Sequence, residues 1–465
     1  MDQSLDFYFD GYLFIHIDNA PYYDMSCVRV VKKTKLYFIC EINKWTIWAS
    51  GKKPDEKILS LLPDEKLREL SELREVDVRF TDKGVYVRDK EVARAIARVL
   101  KRRIRGVNGW FKIPKIGLVV LPKMNILPRF SVDTKITEKI DFKLKFKLRN
   151  YQQQAYAMFR GRGLVTWATG AGKSFLAIAL IKKMGVPTLI VVPSIDLANE
   201  WFSKFEKYTD AVDRGLVCNW SISRAKRELK PITIMPYRSA VLYLPVLRKR
   251  FKFLVFDEAH HAPANSYIRV ASAFPYILSL TASPYREDHR EHLIYGLSGG
   301  GLASIEWERF YKDEIISRPK VYFVQMDKNI LLEFVKRKHK HDKVLIFIFQ
   351  LEHIDVVKRI FKNALVIYGR MSPRQRKLAL EIFKQKRNGV MIVSIVGDEG
   401  IDIPDANVGV IYSSLGGRRE AVQRVGRLLR PKNKRPIIYY PYDDFDKIRD
   451  IAETFRNHGF EVHVI

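Results

Sequence analysis

The run LVFDEAHHAP, Leu254–Pro263, sets two carboxylates, Asp257 and Glu258, beside two imidazoles, His260 and His261. Such side chains can ligate a metal ion, or they can work on a phosphate bound nearby. A zinc site of the H-E-x-x-H kind needs its histidines on one helical face. Here they are adjacent and point apart, which disfavours the metal reading. The other reading needs a phosphate cradle, and TWATGAGKSFLAIAL, beginning at Thr166, has the composition of one. The small residues Thr169, Gly170, Ala171 and Gly172 let backbone N–H groups close around phosphate oxygens where a helix begins. Lys173 can reach the β- and γ-phosphates, and the Ser174 hydroxyl can bind Mg²⁺. Trp167 stands where the strict G-x-x-x-x-G-K-[ST] pattern has its first glycine. Asp257 closes an apolar strand, the end at which open α/β sheets carry ligand residues. It is suited to hold Mg²⁺ through water, and Glu258 to orient and deprotonate an attacking water. The ligands implied are ATP and Mg²⁺.

Positioning these residues takes a parallel sheet, and the chain from Leu148 onward has that texture. Buried-type strands (GLVTW, TLIVVP, FLVFD, YILSLTAS) alternate with helical stretches. GLSGGGLAS at 296–304 reads as a glycine-rich hinge, and a second series follows it (KVLIFIF, ALVIYG, VMIVSIVG, VGVIYSS, PIIYYP). Ahead of both lies a small α+β unit. It has short aromatic and β-branched runs, a helical stretch DEKILSLLPDEKLRELSEL, and a hairpin pattern around Asp82-Lys83-Gly84. Within it a basic amphipathic helix, KEVARAIARVLKRRIRG, ends at Gly106. Prolines and alternating Lys and Phe make Leu121–Lys147 a linker. The expected division is an N-terminal domain over 1–125, with its linker to about 147, a first lobe carrying the nucleotide site over 126–300, and a second lobe over 301–465.

Composition narrows the partner. Lys and Arg number 82 against 52 Asp and Glu, a net charge of +30, and 47% of residues are apolar. A globular chain with that surplus calls for a polyanion, nucleic acid before membrane. The three cysteines, Cys27, Cys40 and Cys218, form no close-spaced pair, so neither a zinc motif nor a disulfide framework is indicated. The acidic opening MDQSLDFYFD is unlike a signal peptide, and no apolar run reaches transmembrane length, so a cytoplasmic, prokaryotic or archaeal setting is expected.

In order along the chain, A-x-x-G-x-G-K-S and D-E-A-H-H are followed by LTAS (Thr281, Ser283), VGDEGIDIPDANVGVIY at 396–412, and QRVGRLLRP from Gln423. This series resembles the motif set of superfamily 2 helicases and translocases over about two-thirds of the chain. The resemblance implies two RecA-like parallel-sheet lobes in tandem, an α/β fold, behind the α+β domain. It places Gln423, Arg427 and Arg430 at the nucleotide, with Arg424 on the same helical stripe, and makes the arginines fingers on the γ-phosphate. LRNYQQQA is similar to the adenine-contacting motif, implying Arg149 and Gln152 at the base. Pro193, Ser194 and the turn near Thr233 would track strand phosphates in the first lobe, and Gly369, Arg370 and Gly400 in the second. The triplet Arg286-Glu287-Asp288 directly after LTAS, with D-E-A-H-H, is similar to the XPB family of DNA translocases, where that triplet is linked to strand separation. Relatives there carry a helical thumb before the second lobe; here only PKVYFVQMDKNILLEFVKRKHKHDK intervenes.

The implied activity is 3′-to-5′ movement on, or opening of, single- or double-stranded DNA in repair or transcription, with room for a nuclease or other repair protein as partner and none for a membrane. Trp45, Trp48 and Trp110 are candidates for stacking on bases. Two rivals stand beside this. One is an RNA helicase or restriction-type translocase, although no nuclease or methylase motif set is evident. The other is a nucleic-acid scaffold that keeps ATP without hydrolysing it, which need not retain Lys173, Glu258 and Arg427.

Overall fold

A computed structural model of the chain describes residues 7–10, 12–16, 29–33, 37–41, 56–71, 74–124, 126–133, 138–220, 228–264, 266–282, 291–304, 307–394, 406–413, 418–426, 428–429 and 435–465. Near the N-terminus, strands β1 (Phe7–Asp10), β2 (Tyr12–His16), β3 (Arg29–Lys33) and β4 (Tyr37–Glu41) make an antiparallel sheet of order β1-β2-β4-β3. A second sheet joins β5 (Arg74–Thr81), β6 (Gly84–Val87), β7 (Arg105–Val107), β8 (Trp110–Ile113) and β9 (Ile126–Asp133) in the order β7-β8-β6-β5-β9. The expected hairpin at Asp82-Lys83-Gly84 is the β5–β6 turn.

Three local expectations need correcting. The helix begun by Asp89, whose carboxylate accepts from Val92 N, ends at Val99 rather than Gly106. Beyond it Asn108 and Gly109, both with positive φ, turn β7 back onto β8, and that hairpin takes the chain out of helix. The stretch read as one helix is two, Glu56–Leu59 and Asp64–Ser71, parted at Pro63, whose ring cannot continue a hydrogen-bonded turn. The expected linker is structured: β9 lies parallel to β5 along its whole length, and beyond it Ile140 N and Lys145 N donate to Gly185 O and Tyr208 O.

The sheet that carries the nucleotide motifs holds β10 (Arg162–Thr166), β11 (Thr188–Val192), β12 (Val217–Asn219), β13 (Ile232–Pro236), β14 (Phe253–Asp257), β15 (Tyr276–Thr281) and β16 (Gly301–Ser304). All pairings are parallel, in the order β12-β13-β11-β14-β15-β10-β16. Covered on both faces, β11 and β14 are buried at every residue, which is why they read as unbroken apolar runs. The glycine-rich 296–304 stretch is therefore not a hinge: it begins in the helix Glu291–Ser298 and ends in β16, which edges the sheet. Gly163 on β10 permits that edge, since a Cβ there would come within 2.6 Å of Leu302 Cβ.

The second parallel sheet holds β17 (Lys320–Gln325), β18 (Lys343–Ile348), β19 (Leu365–Ile367), β20 (Gly389–Ser394), β21 (Val408–Ile411), β22 (Ile437–Tyr442) and β23 (Glu461–Val464), ordered β19-β20-β18-β21-β22-β17-β23. Numbered from its own first strand, each sheet has the same spatial permutation, third-fourth-second-fifth-sixth-first-seventh. The segment where a thumb would be inserted is filled by β17 and the helix Lys328–Lys338.

The residues form two compact units: Met1–Thr166, Ser174–Val192 and Trp201–Ser304 make one, and Trp167–Lys173, Pro193–Glu200 and Ile305–Ile465 the other. Within the first unit the sheet β5–β9 is docked by a buried cation. The Arg162 guanidinium donates to the carbonyls of Phe274, Pro275 and Leu297 and lies 5.1 and 4.9 Å from the rings of Phe80 and Phe130. Burial lowers its pKa to about 9. Lys115 Nζ reaches Ala273 O, and Lys252 Nζ pairs with Asp82 at 2.6 Å.

Candidate active site

The loop expected to bind phosphate follows the last residue of β10, and Trp167, fully buried, anchors its start. Gly170 and Gly172 adopt φ of +84° and +82°, a region that side-chain-bearing residues seldom enter. The helix Lys173–Met184 starts at once, so backbone N–H groups gather at its N-terminus. Lys173 Nζ donates to Trp167 O at 2.9 Å and Ala168 O at 3.3 Å, holding the ammonium over the loop. In the same compact unit Gly426 abuts this loop: a Cβ on it would lie 3.0 Å from Thr169 Oγ1. Gly426 was not singled out from sequence, although it sits inside QRVGR.

Strand order decides what faces the acidic end. β15 lies between β10 and β14, with Thr281 paired to Thr166 and Leu280 to Asp257. Asp257, at the C-terminal end of β14, has both oxygens engaged: Trp201 Nε1 donates to Oδ2 at 2.7 Å, and the amide of Glu258 to Oδ1 at 3.0 Å. Trp201 is fully buried on the helix Ile195–Tyr208. One turn further along, Lys204 Nζ donates to Ser174 Oγ at 3.0 Å, a cation already set against a hard-oxygen donor. A serine hydroxyl and a carboxylate form the donor set Mg²⁺ prefers, and the loop's N–H groups suit a polyphosphate, so ATP with Mg²⁺ fits the residues present.

Glu258 lies in the left-handed region, φ 49° and ψ 54°, rare for a residue other than glycine and costing on the order of 1 kcal/mol or more. The Tyr237 hydroxyl, at the start of the helix Tyr237–Arg250, holds that turn by donating to the carbonyls of Asp257 and of Glu258, the latter at 3.1 Å. His260 Nδ1 is 3.3 Å from both Glu258 Oε2 and Thr281 Oγ1. The imidazole is fully buried, which makes it a bridge between the acidic end and β15. The two histidines do not point apart: their rings lie 4.3 Å from centroid to centroid in a 3-10 turn. Trp201, Lys204 and Tyr237 carry no signal in the sequence because nothing local ties them to partners 20 or more residues away.

The other expected positions fall into three groups. Gln152 is buried near the start of the helix Asn150–Met158, and its Oε1 accepts from Arg149 N at 2.8 Å. Ser194 caps the helix after Pro193, accepting from Leu197 N at 3.2 Å, and Gly369 with exposed Arg370 forms the turn that leaves β19. Thr281 is buried, ending β15. Two readings are corrected. Thr233 is buried inside β13, its hydroxyl donating to Lys230 O at 2.8 Å, so no turn there can follow a phosphate chain; the turn comes at Pro236. The helix carrying Gln423 ends at Gly426, and Arg424 points into the core, donating to Ser413 O at 3.0 Å, rather than sharing a finger stripe. Ser283, Arg286, Glu287, Asp288, Gly400, Arg427, Arg430, Trp45 and Trp48 lie outside the described residues, while Trp110 is half-buried on β8 under Arg79.

Residues 145–286 match the family described as "Type III restriction enzyme, res subunit", and residues 303–442 match "ERCC3/RAD25/XPB C-terminal helicase". The "DNA 3'-5' translocase XPB2" of Sulfurisphaera tokodaii is 28% identical over 66% of this chain and 85% of its own length. The "DNA 3'-5' helicase XPB" of Mycobacterium tuberculosis is 26% identical over 62% of this chain and 58% of its own length. Among solved structures, S. cerevisiae Dbp5 bound to RNA and ADP BeF3 superposes with a TM-score of 0.55 at 15% identity, covering 76% of this chain and 93% of that one, a likeness of fold. The two parallel sheets are RecA-like lobes.

Proposed function

We propose that the chain, which resembles the XPB family of superfamily 2 helicases in its motifs and in the family model matched over 303–442, is a DNA-stimulated ATPase that moves along or opens DNA in the 3′-to-5′ direction. The observation that carries this is the arrangement at Asp257: a doubly held carboxylate at a strand end, next to Glu258 in a tensed turn and bridged through His260 to Thr281. The loop Thr169–Gly172 cradles the phosphates, Lys173 exchanges its loop carbonyls for them, and Arg149 and Gln152 take the adenine. Ser174 and Asp257 would hold Mg²⁺, which would neutralise the charge that develops on the phosphates. Glu258 orients a water and accepts its proton as the γ-phosphorus–oxygen bond to the departing ADP breaks. Gln423, Arg427 and Arg430 act on the γ-phosphate.

Movement needs the nucleotide and DNA sites to sense each other. The His260 bridge gives Glu258 a mechanical link to β15, whose end leads directly into Ser283 and the Arg286-Glu287-Asp288 triplet. Pro193, Ser194, Gly369, Arg370 and Gly400 would follow strand phosphates, which positions DNA without reading its sequence. With β17 and its helix occupying the place of a thumb, opening should be weak unless a partner supplies a wedge. A charge of +30 supports a polyanionic substrate. No helix among the described residues is long and apolar enough to cross a membrane. ATP turnover measured with duplex DNA, single-stranded DNA and RNA side by side tests the proposal. Stimulation by DNA well above RNA is expected, and preference for RNA or no turnover would defeat it.

A further inference from the structure

The motifs above leave the opposite edge of the second sheet unused, and that edge is strongly basic. Three helices end there, and the segments 336–343, 358–362 and 384–387 carry eleven lysines and arginines against one carboxylate, Asp342. Ten of the eleven are exposed; only Lys343 is buried, its Nζ donating to Lys384 O at 3.0 Å. Basic residues do complement helix C-termini, but three helix ends supply only about −1.5 charges together, far short of this excess. Lys336, Lys362 and Lys386 line a hollow of about 450 Å³ with the polar Asn363 and Asn388 and the apolar Ile360, Phe361, Ala364 and Val390, and no carboxylate is among the lining residues. A protein partner would be met by an apolar, aromatic-rich centre. None of the large exposed apolar side chains among the described residues falls in these three segments.

We propose that this face is a second phosphate-backbone site for duplex DNA, separate from the groove proposed at the other edge. Asn363 and Gly369 lie in the turns beyond opposite ends of β19, so this face and the groove proposed near Gly369 are at opposite ends of that strand. A bent or wrapped flank of the same duplex, or a second segment, has to reach it. The site gives the protein a hold on DNA through steps in which the groove loosens. It rests on the proposed DNA reading.

The test is equilibrium binding of the full chain to a short duplex of about 15 base pairs and a long one of about 60, across a salt series, for wild type and K336E/K362E/K386E. The expected result is equal binding of the short duplex. On the long duplex the slope of log K against log salt should fall by about 2 to 3 in the variant, at about 0.9 for each phosphate no longer neutralised. DNA-free ATP turnover should be unchanged, and K336Q/K362Q/K386Q should shift the slope the same way by less, which serves if the glutamate variant folds poorly. Equal long-duplex binding by wild type and variant overturns the proposal and leaves the face to an acidic protein. An equal loss on both lengths overturns it too, as a diffuse charge effect. If wild type binds neither duplex, the DNA reading itself falls and this proposal with it.

Discussion

Trp201 offers a direct test of how the acidic end is built. Its indole N–H donates at 2.7 Å to Asp257 Oδ2, while Oδ1 keeps the Glu258 amide at 3.0 Å. Trp201→Phe removes one hydrogen bond to a charged acceptor, worth about 1.5–3 kcal/mol. Groups that orient a metal ligand from behind typically govern 10- to 100-fold in metal affinity, about 1.4–2.8 kcal/mol, so two independent estimates agree. The Mg²⁺ concentration for half-maximal ATP turnover should therefore rise about 10- to 100-fold, with turnover at saturating Mg²⁺ recovering to within a few-fold. Mg²⁺-dependent binding of a fluorescent nucleotide should shift in parallel. Phe205→Leu is the control for lost volume, since that ring is fully buried with its centroid 6.4 Å from that of Trp201 and has no polar group to offer Asp257. It should lower stability and leave the Mg²⁺ dependence alone. An unshifted Mg²⁺ curve for Trp201→Phe, or an equal shift for Phe205→Leu, would refute the reasoning.

Glu258→Gln should retain ATP and Mg²⁺ binding while turnover falls by about two to four decades, the usual worth of acid–base assistance; normal turnover would remove Glu258 as the base. Arg286→Ala with Asp288→Ala should leave DNA-stimulated turnover within a few-fold and abolish strand and triplex displacement, and equal displacement by both proteins would reduce the triplet to a surface ion pair worth at most about 1 kcal/mol. Arg162→Met leaves three buried carbonyls without their donor and should cost about 3–5 kcal/mol in denaturant titration, with the N-terminal domain becoming sensitive to protease first. Burial, followed by the charges of Arg248 and Lys252, lowers the Lys115 pKa from 10.5 to about 8. Between these values the unfolded chain binds the proton and the folded chain releases it, so wild type should gain stability relative to Lys115→Met as pH rises from about 8 to 10.5, measured by thermal unfolding of both proteins.

What the sequence alone determined is local. The order of A-x-x-G-x-G-K-S, D-E-A-H-H and QRVGR carries the resemblance to the helicase family and the expectation of a nucleotide site, because a phosphate cradle needs its glycines, lysine and hydroxyl contiguous. Unbroken apolar runs such as FLVFD announced parallel strands covered on both faces. What depends on pairing between distant segments was decided only by tertiary structure. The 126–133 stretch, with Pro128 in it, falls in the segment whose prolines and alternating Lys and Phe read as a linker, yet β5 supplies it a partner on one side. Thr233 carries no local mark of burial; only its place among β12, β11 and the rest of the sheet hides it. The shared permutation of the two sheets leaves no trace in residue spacing, since strand order is set by pairing between distant segments. Trp201 and Tyr237 became legible for the same reason. A buried carboxylate and a strained turn take their hydrogen bonds from whatever the fold brings near, and 56 and 20 residues of chain separate these donors from Asp257.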